Sequence, residues 1–205
     1  ELIVDMLNKI LDNTFCITYT GALSKSEGLP TLFEAAKHLK DINNIKIVIV
    51  GSGNEKQKLE QIIKDESLTN VVIIEKQPKH VVPIILEKSD ILFCGLMERK
   101  VFEYGISKNK FYDYMAAEKP IIFASSVRGS LIDKAEAGIT IKPHEPENLA
   151  NTIRYLYDNI GTLGVQYGKN GRAYVEKYHS VDKIASSFLK VINYTYRITD
   201  NSRNI

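Results

Sequence analysis

The residues best suited to chemistry stand close together, at Ser107, Lys108, Asn109, Lys110 and Asp113. Within residues 104–124, YGISKNKFYDYMAAEKPIIFA, the side chains of Phe111, Tyr114 and Met115 fall on one helical face and Ser107 is a suitable N-cap. A helix is therefore predicted to start near Lys108. The first turn of a helix leaves N–H groups unpaired at the positive end of its dipole, which suits a phosphate, and Lys108 and Lys110 add charge there. Asn109 and Asp113, four residues apart beside the apolar face, would present an amide and a carboxylate to a ligand over the helix start. That set fits a sugar nucleotide: N–H groups and lysines for a diphosphate, a carboxylate accepting from ribose hydroxyls. The same residues also fit a solvated basic helix start in which Asp113 pairs with Lys110.

The elements that must position them follow from periodicity. Leu2, Ile3, Met6, Leu7, Ile10 and Leu11 recur at helical spacing, so residues 1–12 read as a leading amphipathic helix. Strands are predicted at 15–20, 45–50, 71–74, 90–94, 121–124 and 138–142. The near-continuous β-branched run at 45–50 argues for a strand buried on both faces, and 121–124 also reads as a buried strand. Helices are predicted at 29–39, 55–64, from near Pro83 to 88, at 130–137, 146–160, 163–178 and 181–196, the last with Ser180 as N-cap. A tail at about 198–205 is expected to fray. Strands alternating with helices give a Rossmann-like, doubly wound α/β fold of about six parallel strands with helices on both faces. One domain over 1–205 is expected, because no linker, repeat or low-complexity tract divides the chain.

In such sheets a ligand sits beyond the carboxyl ends of the strands, where the strand order reverses. The loops to watch are 21–28, 51–54, 75–79 and 95–110. Gly51-Ser52-Gly53 follows a strand and precedes a helix, but Lys56 stands where a dinucleotide fingerprint has its third glycine, so a tight turn is preferred to an NAD site.

Composition narrows the class of function. The chain has 205 residues, 44% hydrophobic and 25% charged, with a formal net charge of +2, which gives no nucleic-acid signal. No apolar run approaches the roughly 18 residues of a membrane span and no leader is seen, so a cytoplasmic location is expected. Cys16 and Cys94 lie in apolar runs and read as buried free thiols. The histidines, His80 among them, share no ligand spacing, and no Asp-x-Asp pair is present, so no metal site is expected.

The string GISKNKFYDYMAAEKPII resembles the donor-site signature of GT-B glycosyltransferases of the retaining group 1 class (family 4). It is closest to a bacterial surface-polysaccharide branch reading roughly YG-x-S-P-N-K-x-x-[ED]-Y-M-A-A-G-K-P-V-I. Lys108 replaces the Pro of that pattern and Glu118 its Gly. Loop 21–28 resembles G-x-x-G-x-x-Q-G-L, with Ser24 for a glycine and Glu27 for the glutamine. The wider family has an Arg and a Lys in this loop, where this chain has Ala22 and Glu27, leaving Lys25 as the nearby cation. The resemblance spans about residues 15–190 and covers the C-terminal half of a GT-B fold.

The resemblance implies a donor-binding domain for a nucleotide sugar, with UDP preferred because the branch uses UDP-activated amino sugars. Lys108, Asn109 and Lys110 would serve the phosphates and Asp113 the ribose. Gly21, Lys25, Gly51 and Ser107 would lie around the nucleotide. Loop 75–79, with Gln77, would sit at the base. The first carboxylate of the family's paired-glutamate motif falls at Gly105 and is missing; Glu103 is the neighbouring carboxylate that could face the sugar as a catalytic group. No cofactor is implied beyond the UDP-sugar donor. The acceptor, a glycan or lipid-linked saccharide, would meet a missing N-terminal domain, an arrangement compatible with the inner face of a membrane in capsule, O-antigen or exopolysaccharide assembly. Two other readings stay open: a degenerate, non-catalytic nucleotide-binding module, and half of a GT-B sugar-nucleotide epimerase.

Overall fold

The computed structural model describes residues 10, 14–98, 100, 102, 106 and 108–201, the last five of them (197–201) by backbone alone. Glu103, Tyr104, Gly105, Ser107 and most of the expected leading helix lie outside the described residues. Of that helix Ile10 is described, and it packs against a buried group of Cys16, Val48, Val50, Ile74, Val81 and Ile85.

Six strands form one parallel sheet: β1 (Phe15–Ala22), β2 (Ile45–Ser52), β3 (Val71–Ile74), β4 (Ile91–Gly95), β5 (Ile121–Ala124) and β6 (Gly138–Ile141). Their spatial order is β3-β2-β1-β4-β5-β6, so the order reverses between β1 and β4. The expected doubly wound fold is observed. Ile17, Ile47, Ile49, Ile91, Phe93 and Ile122 are sealed from solvent, as the β-branched runs require of a sheet covered on both faces.

The helices are α1 (Leu29–Lys37), α2 (Lys56–Asp65), α3 (Val82–Glu87), α4 (Asn109–Ala116), α5 (Leu131–Ala135), α6 (Pro146–Asp158), α7 (Val165–His179) and α8 (Val181–Asn201). Proline occupies the first turn of α1, α3 and α6, where its missing N–H costs nothing. Ser130 and Asp133 form a reciprocal capping box that starts α5. Several boundaries differ from the sequence reading by a few residues: β1 and β2 run on to Ala22 and Ser52, and α1 and α6 stop at Lys37 and Asp158. A π-helical turn, Ile160–Gly164, joins α6 to α7, so α7 begins at Val165. α8 also runs to Asn201, into the segment expected to be frayed. An amphipathic repeat fixes the existence of a helix better than its ends.

Cys16 and Cys94 are buried free thiols, as expected, and burial pushes the Cys94 thiol up to about 11. The loops after β1 and β4 are pressed together where the strand order reverses. The Met97 N–H donates to the Ser26 carbonyl at 2.9 Å. Gly95 stands so close to that loop that a Cβ would lie 2.1 Å from the Glu27 carbonyl oxygen. Both strands therefore deliver their following residues to one place.

Candidate functional site

α4 starts at this junction. Its N-cap is Lys108, extended at φ −112° and ψ 115° and without a side-chain capping bond, so the expected cap by Ser107 gives way to a start one residue later. Phe111, Tyr114 and Met115 face the core and are sealed from solvent, which fixes the rotation of the helix and turns Asn109 and Asp113 outward. The Tyr114 hydroxyl accepts from the Thr20 amide at 2.9 Å, pinning the helix to the end of β1.

The two lysines turn back under the β1 loop. Lys108 Nζ donates to Glu27 Oε2 at 2.9 Å and to the Gly95 carbonyl at 2.8 Å. Lys110 Nζ donates to the same Glu27 oxygen at 2.7 Å and lies 4.1 Å from the centroid of the Tyr19 ring. The side chains of Lys108, Lys110 and Glu27 are 12%, 15% and 14% exposed, so this triad is largely shielded from water. Burial alone would push the Glu27 carboxyl up; the ammonium groups of Lys110 and Lys108 beside it outweigh that and hold it below its ordinary value. Burial pulls Lys110 down, against the charge of Glu27. Gly21 belongs to the same cluster: at φ +148° it has no side chain where a Cβ would meet Lys110 Nζ at 2.9 Å. The alternative pairing of Lys110 with Asp113 is not formed, because Lys110 points into the triad and Asp113 out of it.

Asn109 and Asp113 line a separate feature, a cavity of about 900 Å³ between α3 and α4. Lys79, Val82 and Pro83 contribute to one wall, and Arg172 of α7 lies at its edge. Partial desolvation there pushes the Asp113 carboxyl above its ordinary value. The structure thus brings Gly21, Lys108 and Lys110 into one cluster, and Asn109 and Asp113 onto the adjoining cavity.

Gly51 is the strand partner of Gly21. Gly51 and Gly53 are needed for close approach of backbones: a Cβ would lie 1.9 Å from the Gly21 oxygen at the first and 2.3 Å from the Leu23 oxygen at the second. Lys25 is exposed and forms no ion pair among the described residues. Gln77 is folded inward, 9% exposed, with Nε2 donating to the Glu75 carbonyl at 2.8 Å and Oε1 unpartnered among the described residues. His80 is exposed. Glu103 and Ser107 lie outside the described residues. No group of three or more His, Cys, Asp or Glu able to hold a metal ion occurs among the described residues, and no helix there is long and apolar enough to cross a membrane.

Sequence reasoning did not assign a role to Glu27, Lys79 or Arg172. A signal for Glu27 was present in its departure from the neutral or basic residue that the resemblance puts there, and in two lysines on the next loop of the junction. Lys79 and Arg172 come from distant elements whose approach to α4 no local pattern encodes.

A parallel sheet whose strand order reverses between β1 and β4, with a basic helix start at that reversal, defines a doubly wound α/β fold of the kind that binds ligands beyond the carboxyl ends of its strands. Comparison with known proteins narrows it: the family described as glycosyl transferases group 1 matches residues 8–174, and the chain belongs to that family. A sequence relative is WcaI of Escherichia coli K12, named as a colanic acid biosynthesis glycosyl transferase, 32% identical over 100 residues that make up 47% of this chain and 24% of WcaI. Among solved structures, Anabaena HepE in complex with UDP aligns with TM-score 0.76 at 16% identity, covering 93% of this chain and 53% of HepE. A Staphylococcus aureus TarM variant in complex with fondaparinux, alpha-GlcNAc-glycerol and UDP aligns with TM-score 0.74 at 19% identity, covering 88% of this chain and 36% of TarM. The C-terminal domain of LpcC, a group 1 family protein of Francisella tularensis, aligns with TM-score 0.68 at 19% identity, with 82% and 87% covered. The chain thus spans about half or less of WcaI, HepE and TarM, and most of the isolated LpcC domain.

Proposed function

We propose that this chain is the donor-binding half of a retaining glycosyltransferase that uses a UDP-sugar in bacterial surface-polysaccharide assembly. The observation that carries the reading is the meeting of Lys108 and Lys110 with Gly21 at the carboxyl ends of β1 and β4, next to a cavity that holds Asn109 and Asp113. Lys108, Lys110 and the Asn109 end of α4 would bind the diphosphate. During transfer they would stabilise the charge that develops on the departing UDP. Asp113 would accept from the ribose hydroxyls, and loop 75–79 with Gln77 would take the base. UDP in complexes of the structural relatives HepE and TarM, and the biosynthetic name of WcaI, support the choice of nucleotide and pathway class. The acceptor would be held by a further domain, in a protein working on the cytoplasmic side of a membrane.

A second reading has its own observation. Glu27 neutralises part of the charge that the lysines bring, as expected of a donor domain that has lost turnover. The longer protein decides between the two. Sugar transfer from a UDP-sugar with the donor's anomeric configuration kept supports the leading reading, and UDP binding without transfer from any donor tried supports the second.

A further inference from the structure

We infer that Glu27 sets the affinity of this site for phosphate by occupying the position between Lys108 and Lys110 that a phosphate oxygen would take, so that an incoming diphosphate must displace it. The inference rests on the donor-site reading above. A single carboxylate oxygen, Oε2, accepts from both ammonium groups, at 2.9 and 2.7 Å. These are distances at which a phosphate oxygen would bind the same donors. The remaining contacts of the lysines, the Gly95 carbonyl and the Tyr19 ring, neither compete for that position nor carry charge.

The position of Glu27 is built into the loop. It stands on the three-residue turn Lys25–Glu27, closed by Gly28 at φ +63°. The turn is held by the Met97 N–H on the Ser26 carbonyl and by the approach of Gly95 to the Glu27 backbone. The backbone is thus fixed, while the side chain can leave by rotation about its own torsions. Two lysines and one glutamate leave one net positive charge where a multiply charged diphosphate would bind. If Glu27 stayed, the anion would meet a carboxylate within the same shell of donors, and like charges so close are strongly unfavourable. Two shielded ammonium groups with no anion are costly in turn, so in the empty site Glu27 is the counter-ion that keeps both lysines in place.

The test is titration calorimetry of this chain and of Glu27→Gln with inorganic pyrophosphate, UDP and uridine. Glutamine keeps the length and an acceptor oxygen for the lysines and removes the charge. The variant is expected to bind pyrophosphate and UDP about tenfold more tightly and uridine unchanged. Unchanged or weaker UDP binding with uridine binding kept would overturn the role of Glu27 and leave the donor site standing. Failure of both proteins to bind either UDP or uridine would overturn the donor-site reading, and the inference with it. If Glu27→Gln does not fold, the carboxylate carbon resonance of Glu27 in the wild-type chain gives the same answer. It is expected to move towards the position of a solvated carboxylate as pyrophosphate saturates the site, and a resonance unmoved at saturation would overturn the inference.

Discussion

The Thr20 amide donates to the Tyr114 hydroxyl at 2.9 Å across 94 residues of sequence. Along β1 the even-numbered residues face β4, as the Cys16 carbonyl shows by accepting from the Asp90 amide. The register with β4 covers only Ile17 and Thr18, so the Thr20 N–H lies beyond the last strand partner. Tyr114 completes the bonding of the strand and sets α4 against the loop that carries the site. Tyr114→Phe keeps the ring and strands a buried N–H, and is expected to cost about 1–3 kcal/mol. Urea unfolding should show a lower midpoint at unchanged slope; an unchanged midpoint would remove the hydroxyl from the account.

Glu118 sits at φ +58°, a left-handed conformation that most residues avoid, at the position where the resembling pattern has glycine. Glu118→Gly relieves that strain and gives back part of it as chain entropy, for an expected net stabilisation of roughly 0.5–1 kcal/mol. Gly168→Ala should act in the opposite sense. Its Cβ would lie 2.2 Å from the Glu118 carbonyl oxygen, a backbone atom that cannot swing away, and forcing α7 outward is expected to cost about 1–3 kcal/mol. Thermal unfolding of the two variants should bracket the wild type.

The pH dependence of binding should follow Asp113. Desolvation raises its carboxyl above the ordinary value of 3.8, and in the proposed site it is the charged form that would accept from ribose hydroxyls. UDP affinity is therefore expected to fall with decreasing pH at values above those of an ordinary aspartate, and Asp113→Asn should remove this component. The stability profile has a different source. Glu27 is held below its ordinary value of 4.5, so its contribution is present above that value and is lost as pH falls through the lowered one. Asp113 works the other way: ionising it costs the fold slightly as pH rises through its raised value, so Asp113→Asn should be neutral or slightly stabilising near neutral pH.

α8 packs mainly on α7 and leaves Val181, Ile184, Phe188, Leu189 and Ile192 exposed. The core does not draw on that face. Removing residues 181–205 is expected to change the melting temperature by no more than about 2 °C, and to lower the binding of a dye that reports exposed apolar surface. A large drop in melting temperature would show that the helix supports the sheet.

Much of this was legible in the sequence. Residues 45–50 announced a buried strand as a β-branched run, and the alternation of strand-like and helical stretches along the chain pointed to the parallel sheet. The helix carrying Asn109, Lys110 and Asp113 was readable because its apolar face was set by Phe111, Tyr114 and Met115. What could not be read was which charges would meet. The pairing of Lys110 with Glu27 depends on β1 lying next to β4 and on the close approach at Gly95, and spacing along one helix suggested Asp113 instead. The cap was missed for a related reason: Ser107 is a good capping residue, but α4 begins where its buried face docks, one residue later.

The donor site itself is the central claim, and titration calorimetry of this chain with UDP, GDP and NAD, repeated on Asp113→Ala, tests it most directly. The account expects UDP to bind in preference to the other two, and the variant to bind it more weakly by roughly 1.5–3 kcal/mol, the worth of a hydrogen bond to a charged group. Binding of NAD alone, or UDP binding untouched by Asp113→Ala, would contradict it.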